Sequence, residues 1–381
     1  IHIPFCRRKC AYCDFYSVAL LNKEPAFVNA LTREISVFSR SAPSRLANNS
    51  LNEKELKSGQ PIKTIYLGGG TPSILSKTSI ERILNTLYQH YRIAEVPEIT
   101  LEANPDDITS EKAKFWLDTG INRLSIGVQS LYDQSLKFLG RKHNAKISLQ
   151  SIEKAQNAGF QNISADLIYN LPGLSLSAWE TSLDTLLNTG IKHLSAYQLG
   201  IEKGTLLYRK FKKGDFTMPG DEAAYTQFMS LYDITEKRGF PWYEISNFAQ
   251  EGFKSRHNSS YWNGDHYFGF GPGAHAYDGN KRRWNIPDLN AYIENPLRCY
   301  ETETLSPKDK INDYLITHLR TREGINIKFM EQHFNAFDID GLKRKMEIYL
   351  HTGKACYHRD CISLSPEGLF ISDAILKDII Y

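Results

Sequence analysis

The sequence has few cysteines and lacks any long apolar run. Its 381 residues include only six cysteines, a density well below that of the small secreted domains that disulfides hold together. No apolar stretch approaches the roughly 20 residues that a membrane-spanning helix requires, and no signal peptide is visible. These absences predict a cytoplasmic protein whose thiols stay reduced.

The sequence also lacks an excess of one charge. Lysine and arginine number 46 against 43 aspartates and glutamates, a formal net charge of +3. Proteins that bind nucleic acid usually cluster basic residues on one face, so we expect no nucleic-acid partner. Hydrophobic residues make up 41% and charged residues 23%, which is typical of a folded globular chain. The length predicts one large domain and a smaller one.

Three cysteines lie close together, as Cys6, Cys10 and Cys13 in a CxxxCxxC block. A structural zinc ion usually takes four protein ligands, but no further His or Cys follows closely. Three thiolates around a cubane iron–sulfur cluster leave one iron open for another ligand. The block therefore predicts a [4Fe-4S] cluster. The remaining cysteines lack this spacing and are predicted to be ordinary thiols: Cys299, Cys356 and Cys361.

Short apolar runs alternate with helical patterns over most of residues 1–200. The predicted strands cover residues 1–3, 64–67, 98–102, 123–128, 162–168 and 193–199. Repeated βα units form parallel sheets, so we predict an α/β fold built on a partial (β/α)6 TIM-like barrel. A polar stretch at 39–63 predicts a surface loop.

Polar motifs follow these strands at the points where the strands end. Chemistry in TIM-like barrels lies at the carboxyl ends of the strands, so we expect one functional rim. Gly69 and Gly70 let backbone N–H groups approach a ligand. Glu102 and Asp166 suit the amino and hydroxyl groups of S-adenosylmethionine, and Arg141 suits its carboxylate. The alternatives are that Asp166 caps a helix and that Arg141 is a surface charge.

Taken in order, the motifs resemble the oxygen-independent coproporphyrinogen III oxidase superfamily of radical-SAM proteins. They are the cysteine block, Gly68-Gly-Gly-Thr-Pro72, Glu102-Ala-Asn-Pro105, Ser125-Ile-Gly-Val-Gln129, Leu139-Gly-Arg141 and Asp166-Leu-Ile-Tyr-Asn-Leu-Pro172. The resemblance implies a radical-SAM barrel with its extension over 1–300, including a motif at 256–277. It also implies contacts to S-adenosylmethionine from Tyr12, Gly69, Gly70, Thr71, Glu102, Gln129, Arg141, Asp166, Gly200 and His275. A further tyrosine of the family pattern would precede Ile1.

Two features resemble the HemW-type heme chaperones of this superfamily more than the oxidases. The cysteine block of the oxidases has the pattern CxxxCxxCxC, with an additional cysteine two positions after the third. In this sequence that position is Phe15. The run from His257 to Trp262 reproduces a His-Asn-x-x-Tyr-Trp signature that the resemblance associates with heme. It implies that His257 is an axial ligand, because imidazole commonly ligates heme iron. The alternatives are a loop histidine on an aromatic patch, or ligation by His266 or His275.

The resemblance leaves two functions open. The favoured one is a heme chaperone that binds a [4Fe-4S] cluster, S-adenosylmethionine and heme, and that delivers heme to apo-cytochromes or other apo-heme proteins. Any contact of the chaperone with a membrane would be peripheral and would come through the proteins that receive heme. The chaperone could be a monomer or a dimer. The alternative is a coproporphyrinogen III oxidase, which decarboxylates porphyrinogen propionates through a 5′-deoxyadenosyl radical.

The last part of the chain, 301–381, is predicted to form a second domain. Tyr300 to Pro307 is polar and reads as a linker, and Lys308 to Arg320 has the pattern of an amphipathic helix. Further helices and a small β-wing resemble the winged-helix-like α+β domain at the C-terminus of the same superfamily. We expect this domain to cover the barrel mouth or to present a partner surface.

Overall fold

The protein is described from a computed structural model, which covers residues 1–39, 60–334 and 337–380. The predicted surface loop at 39–63 falls, for residues 40–59, outside the described residues. Within the described ranges, no helix combines the length and the apolar character that crossing a bilayer requires.

The main sheet begins with six parallel strands that neighbour one another in chain order. They are β1 (His2–Ile3), β2 (Ile62–Gly69), β3 (Ile93–Ala103), β4 (Arg123–Gln129), β5 (Asn162–Tyr169) and β6 (His193–Gln198). Two short strands, β7 (Trp242–Glu244) and β8 (Asn247–Ala249), extend the sheet beyond β6, and β8 pairs with β6 in antiparallel fashion. This arrangement confirms the predicted partial (β/α)6 barrel.

Helices connect the parallel strands. The barrel helices are Glu24–Phe38, Lys77–His90, Ser110–Asp118, Asp133–Leu139, Ala145–Ala158, Leu176–Leu187, Leu206–Lys212 and Asp221–Lys237. Side-chain oxygens of Ser76, Thr109, Asn144 and Ser175 accept hydrogen bonds from the first-turn amides of the helices that follow them. Such caps satisfy helix N–H groups that have no partner in the helix itself, so the local sequence fixes where these helices begin.

Alternation along the strands separates the core from the barrel interior. Apolar residues such as Leu67, Leu101 and Leu124 are fully buried. Successive strand residues point to opposite faces, so the polar residues between the apolar ones share the other face. Parallel pairing then sets Glu102 beside Ser125 and Asp166 beside Ser195. The register of the sheet thus gathers polar side chains from several strands.

A three-stranded antiparallel sheet follows the barrel. Its strands are β9 (His275–Tyr277), β10 (Lys281–Asn285) and β11 (Tyr300–Thr304), in the order β11-β10-β9. The helices Arg256–Trp262 and Leu289–Glu294 accompany it. The prediction of a linker at 300–307 is therefore wrong for 300–304. The alternating aromatic and β-branched residues there suit a strand, and Trp284 Nε1 donates across the pair to Glu301 at 3.1 Å.

A buried carboxylate fastens this extension to the barrel. Glu34, fully buried in helix Glu24–Phe38, accepts hydrogen bonds from the Gly271 amide at 3.0 Å and from Asn285 Nδ2 at 2.8 Å. Tyr292 donates its phenol to the same carboxylate at 2.5 Å, and Arg283 lies 3.5 Å away. Burial raises the pKa of Glu34, and these donors satisfy the carboxylate in the interior.

The remaining described residues form an α+β unit with antiparallel strands β12 (Ile325–Asn326), β13 (Ala355–His358) and β14 (Cys361–Leu364) in the order β12-β14-β13. Its helices are Pro307–His318, Ile327–His333, Ile339–His351, Pro366–Phe370 and Ser372–Ile379. This confirms the smaller winged-helix-like α+β part of the predicted fold. Strand β11 pairs with β10 across the predicted boundary at 300/301, and the division into two domains stays a prediction.

Candidate functional site

The cysteine block forms a loop at the carboxyl end of β1. Backbone hydrogen bonds anchor it, with the Ala11 amide donating to Leu139 at 3.3 Å and the Leu207 amide donating to Ala11 at 2.8 Å. Cys6, Cys10 and Cys13 are free thiols of intermediate exposure. In the described part of the chain, no three His, Cys, Asp or Glu side chains stand close enough together to hold one metal ion.

Two predicted rim residues contact these thiols. The hydroxyl of Thr71 lies 3.3 Å from Cys6 Sγ, and Nη1 of Arg141 lies 3.5 Å from Cys10 Sγ. The other terminal nitrogen of Arg141 donates to Asn104 Oδ1 at 2.6 Å and to the carbonyl of Gly127 at 2.9 Å. These bonds aim the guanidinium at the cysteine loop.

The glycine turn after β2 packs closely against the N-terminal strand. A Cβ on Gly69, whose φ is +111°, would lie 1.7 Å from the His2 ring, and one on Gly70 would lie 2.6 Å from the Phe5 carbonyl oxygen. The Gly69 amide donates to Glu102 at 3.0 Å, and the Gly70 amide donates to Ile3 at 2.8 Å. The His2 ring and the positive φ explain Gly69, the backbone of Phe5 and Ile3 explains Gly70, and the contact of both glycines with S-adenosylmethionine stays a prediction.

Two half-buried carboxylates lie inside the barrel. Glu102 accepts hydrogen bonds from the Tyr66 phenol at 2.8 Å and from Gly69. Asp166 accepts from the Ser125 hydroxyl at 3.1 Å, and burial with the nearby charge of Glu102 raises the pKa of Asp166 to about 7. Burial also raises the pKa of Glu102. Among the ion pairs of the described residues, neither carboxylate has a basic partner, so a ligand that brings positive charge would stabilise them.

The other predicted rim residues lie at the ends of the same strands or beside them. Gln129 ends β4 with φ +67°, a strained conformation for a residue other than glycine. Tyr12 is half-buried in the cysteine loop, and burial raises its pKa. Gly200 is exposed just after β6. His275 is exposed in β9, and its ring stacks on Trp284 with centroids 6.3 Å apart.

The histidine motif forms the helix Arg256–Trp262, and hydrogen bonds to Glu98 of β3 attach the beginning of this helix to the barrel. This buried carboxylate accepts the backbone N–H groups of Arg256 at 3.0 Å and His257 at 2.9 Å. Acidic groups stabilise the amino end of a helix because its first N–H groups lack partners. Glu98 therefore fixes where the helix begins.

Both ring nitrogens of His257 have partners. Nδ1 lies 2.9 Å from Thr64 Oγ1, and Nε2 lies 3.1 Å from the Tyr261 hydroxyl. The imidazole also stacks on Tyr66, with centroids 4.8 Å apart and planes 17° apart. Burial lowers the pKa of His257 to about 3 and raises that of Tyr261 to about 12. At neutral pH the imidazole and the phenol are therefore both uncharged, and one of the two ring nitrogens carries the proton.

The same helix borders a cavity of about 550 Å³ between the barrel and the C-terminal unit. Its aromatic lining consists of Tyr169, Tyr197, Phe228, Tyr261, Trp262 and Phe370, and its charged lining of Glu244, Arg320 and Asp373. Arg320 donates to Asp373 at 2.7 Å. An aromatic cavity with a few charged groups is typical of a small-molecule site.

Comparison with known proteins decides the family. The model of the radical SAM superfamily matches residues 1–186. The heme chaperone HemW of Bacillus subtilis is 35% identical over 347 residues, which cover 89% of this chain and 87% of that protein. HemW of Mycobacterium tuberculosis H37Rv is 30% identical over 384 residues, covering 100% of this chain and 94% of that protein. The chain belongs to the HemW family of radical SAM proteins.

Outside the HemW family, the structure is similar to coproporphyrinogen III oxidase (HemN) from Escherichia coli. The TM-score is 0.82 with 19% identity, covering 100% of this chain and 88% of that one. This similarity shows that the two share a fold. The oxidase is therefore a structural relative of this chain, and the similarity gives no support to the oxidase activity.

Membership in the radical SAM superfamily implies a [4Fe-4S] cluster and S-adenosylmethionine, and the residues present fit both. The cysteine loop offers three free thiols, the soft donors that iron–sulfur clusters require. Glu102 and Asp166 suit a ligand with positive and hydroxyl groups.

Sequence reasoning missed Tyr66, Glu98, Arg320 and Glu244. Strand alternation could have placed Tyr66 on the inner face, but no local signal connects Glu98 with a helix that begins at Arg256. Arg320 and Glu244 carry no motif, and only the three-dimensional structure brings them to one cavity.

Proposed function

We propose that the protein is a heme chaperone, which binds heme beside helix Arg256–Trp262 and passes it to apo-heme proteins. The observation that carries this proposal is the position of the motif. Its Asn258, Tyr261 and Trp262 form one wall of the aromatic cavity. Aromatic rings pack well against a flat porphyrin, and Arg320 offers a guanidinium for a propionate. The relatives named heme chaperones support the same function.

The cluster belongs, in this proposal, to Cys6, Cys10 and Cys13. When bound, it supplies an electron to S-adenosylmethionine. Arg141, already aimed at Cys10, holds the carboxylate of that ligand, and Glu102 and Asp166 accept hydrogen bonds from its amino or hydroxyl groups. The remaining contacts that we propose are Tyr12, Gly69, Gly70, Thr71, Gln129, Gly200 and His275.

The proposed recipients are apo-cytochromes and other apo-heme proteins, and we propose that the transfer takes place in the cytoplasm. Phe15, at the position of the oxidases' extra cysteine, is 71% exposed beside the cysteine loop. Its ring cannot replace a thiolate as a ligand. This difference favours the chaperone over the oxidase.

One experiment tests the choice. Anaerobically reconstituted protein is mixed with ferric heme, and in parallel with coproporphyrinogen III, S-adenosylmethionine and a strong reductant. We expect one heme per chain, which then moves to an apo-cytochrome, and no decarboxylation at a useful rate. Robust formation of protoporphyrinogen would restore the oxidase, and failure to bind heme would end the chaperone proposal.

A further inference from the structure

Within the histidine motif, the imidazole lies behind the phenol when viewed from the cavity. Tyr261 borders the cavity and is 41% exposed, whereas His257 is not part of the lining. The two side chains are joined by the 3.1 Å contact between the Tyr261 hydroxyl and Nε2 of His257. A heme in the cavity therefore meets Tyr261 before it meets His257.

We propose that the Tyr261 oxygen is the axial ligand of ferric heme iron, and that His257 acts through Tyr261 as a positioning residue. This inference rests on the proposed heme-binding function and names the iron contact within it. Tyrosine oxygen is an established axial ligand of heme iron in proteins. The sequence pattern alone favours the histidine, because imidazole is the commoner ligand.

His257 is held in a position that keeps it from the cavity. Thr64 occupies Nδ1 at 2.9 Å, the ring stacks on Tyr66, and the backbone amide of His257 is bonded to Glu98 at 2.9 Å. To reach an iron in the cavity, the imidazole would have to leave Thr64, Tyr66 and Tyr261 together. Tyr261 has to release only one hydrogen bond.

Ligation by Tyr261 balances without a redox step. The phenol O–H bond breaks and its proton leaves to solvent through the open cavity, the Fe–O bond forms as water leaves the iron, and the iron stays ferric. In the ligated state the single ring proton of His257 lies on Nε2, which donates a hydrogen bond to the phenolate oxygen. The Thr64 hydroxyl then donates to Nδ1, because a hydroxyl can donate as well as accept. The imidazole stays neutral in both states.

The test uses the full chain with ferric heme, followed by absorption, electron paramagnetic resonance and resonance Raman spectroscopy. We expect wild type to show the high-spin spectrum and the Fe–phenolate vibrations of a tyrosine-ligated heme. Tyr261→Phe should lose both signatures and bind heme at least tenfold more weakly. Tyr261→His should keep heme with an imidazole-type spectrum, which shows that the cavity still forms.

His257→Gln should keep the phenolate vibrations but shift them, because the hydrogen bond to the ligand oxygen changes. Tyr267→Phe is the matched control, since Tyr267 packs on Tyr261 with centroids 4.7 Å apart but does not line the cavity. It should leave the spectrum unchanged.

Two results separate this inference from the proposed function. An imidazole spectrum in wild type that Tyr261→Phe retains and His257→Gln abolishes would overturn the assignment of Tyr261 and leave the chaperone standing. Wild-type protein that binds no heme would overturn both. Thermal melts of each variant identify any loss of binding that comes from unfolding.

Discussion

The phenol of Tyr66 donates a 2.8 Å hydrogen bond to Oε1 of Glu102. The ring of the same side chain stacks on His257. Glu102 belongs to the rim beside the cysteine loop, and His257 belongs to the motif beside the cavity. One side chain therefore contacts both candidate sites, which lie in parts of the sequence far from each other.

Tyr66→Phe should change the pH dependence of S-adenosylmethionine binding and leave heme binding intact. The hydrogen bond from Tyr66 lowers the pKa of Glu102 against the larger upward effect of burial. Without the hydroxyl, the pKa of Glu102 rises. As the pH falls, Glu102 is then protonated earlier than in wild type, and the affinity for S-adenosylmethionine is lost at a higher pH. The measurement is the dissociation constant of S-adenosylmethionine between pH 5 and 9 on cluster-loaded protein. Identical profiles for the variant and wild type would contradict the proposed role of Glu102.

Cys10→Ala should abolish the cluster. Each iron of a cubane needs a soft donor, so wild type reconstituted anaerobically should hold about four irons and the variant should lose them. Iron and sulfide analysis, together with the visible absorption of the cluster, checks this. The control replaces Cys299, Cys356 and Cys361 with serine and should keep the cluster. Loss of the cluster in that control would show that its ligands are not Cys6, Cys10 and Cys13 alone.

Glu102→Ala and Asp166→Ala should weaken S-adenosylmethionine binding without loss of iron. Each substitution removes a charge-assisted hydrogen bond, which contributes about 1.5–3 kcal/mol, or roughly a ten- to hundredfold change in affinity. Calorimetric titration of cluster-loaded protein measures the effect. Asp118→Ala, on the exposed face of helix Ser110–Asp118, is the control. If both barrel variants bound the ligand as wild type does, the carboxylates would lie outside its site.

Glu244→Gln should make the protein more stable at alkaline pH relative to wild type. Burial raises the pKa of Glu244 from 4.5 to about 7. The stability that neutral Glu244 gives the folded protein, relative to an ionised one, is therefore fully present below pH 4.5 and is lost as the pH rises through 7. One pKa unit corresponds to about 1.4 kcal/mol, so wild type loses about 3 kcal/mol over this window through Glu244.

The glutamine variant does not titrate and should lack this loss. Unfolding by denaturant at pH 4.5, 6 and 8 measures the difference in the free energy of unfolding. The control is Glu251→Gln at an exposed position. A constant difference between wild type and Glu244→Gln across these pH values would show that folding does not raise the pKa of Glu244.

The strands of the barrel could be predicted because their signals are local. The apolar run at 123–128 corresponds to strand Arg123–Gln129, and the run at 162–168 to strand Asn162–Tyr169. Once parallel strands follow one another in order, the side chains at their carboxyl ends share one rim. The motif residues of the rim could therefore be found without knowing any contact between them.

Contacts between distant segments left no such signal. Thr64 and His257 are 193 residues apart, and the hydrogen bond between them depends on how helix Arg256–Trp262 docks on β2. The sequence places His257 and Tyr261 four residues apart, but it shows neither that they lie on one helix nor which of them faces a cavity. That choice depends on the tertiary packing of Tyr66 and Glu98.

The carboxylate of Glu34 also constrains the order in which the chain acquires its structure during synthesis. Its donors Gly271 and Tyr292 follow it by 237 and 258 residues. A ribosome adds about 5–20 residues per second, so helix Glu24–Phe38 waits on the order of tens of seconds for these donors. Until then its carboxylate cannot be buried without a large desolvation cost. The first helix of the barrel therefore gains all of its buried partners only after about three quarters of these 381 residues have been synthesised.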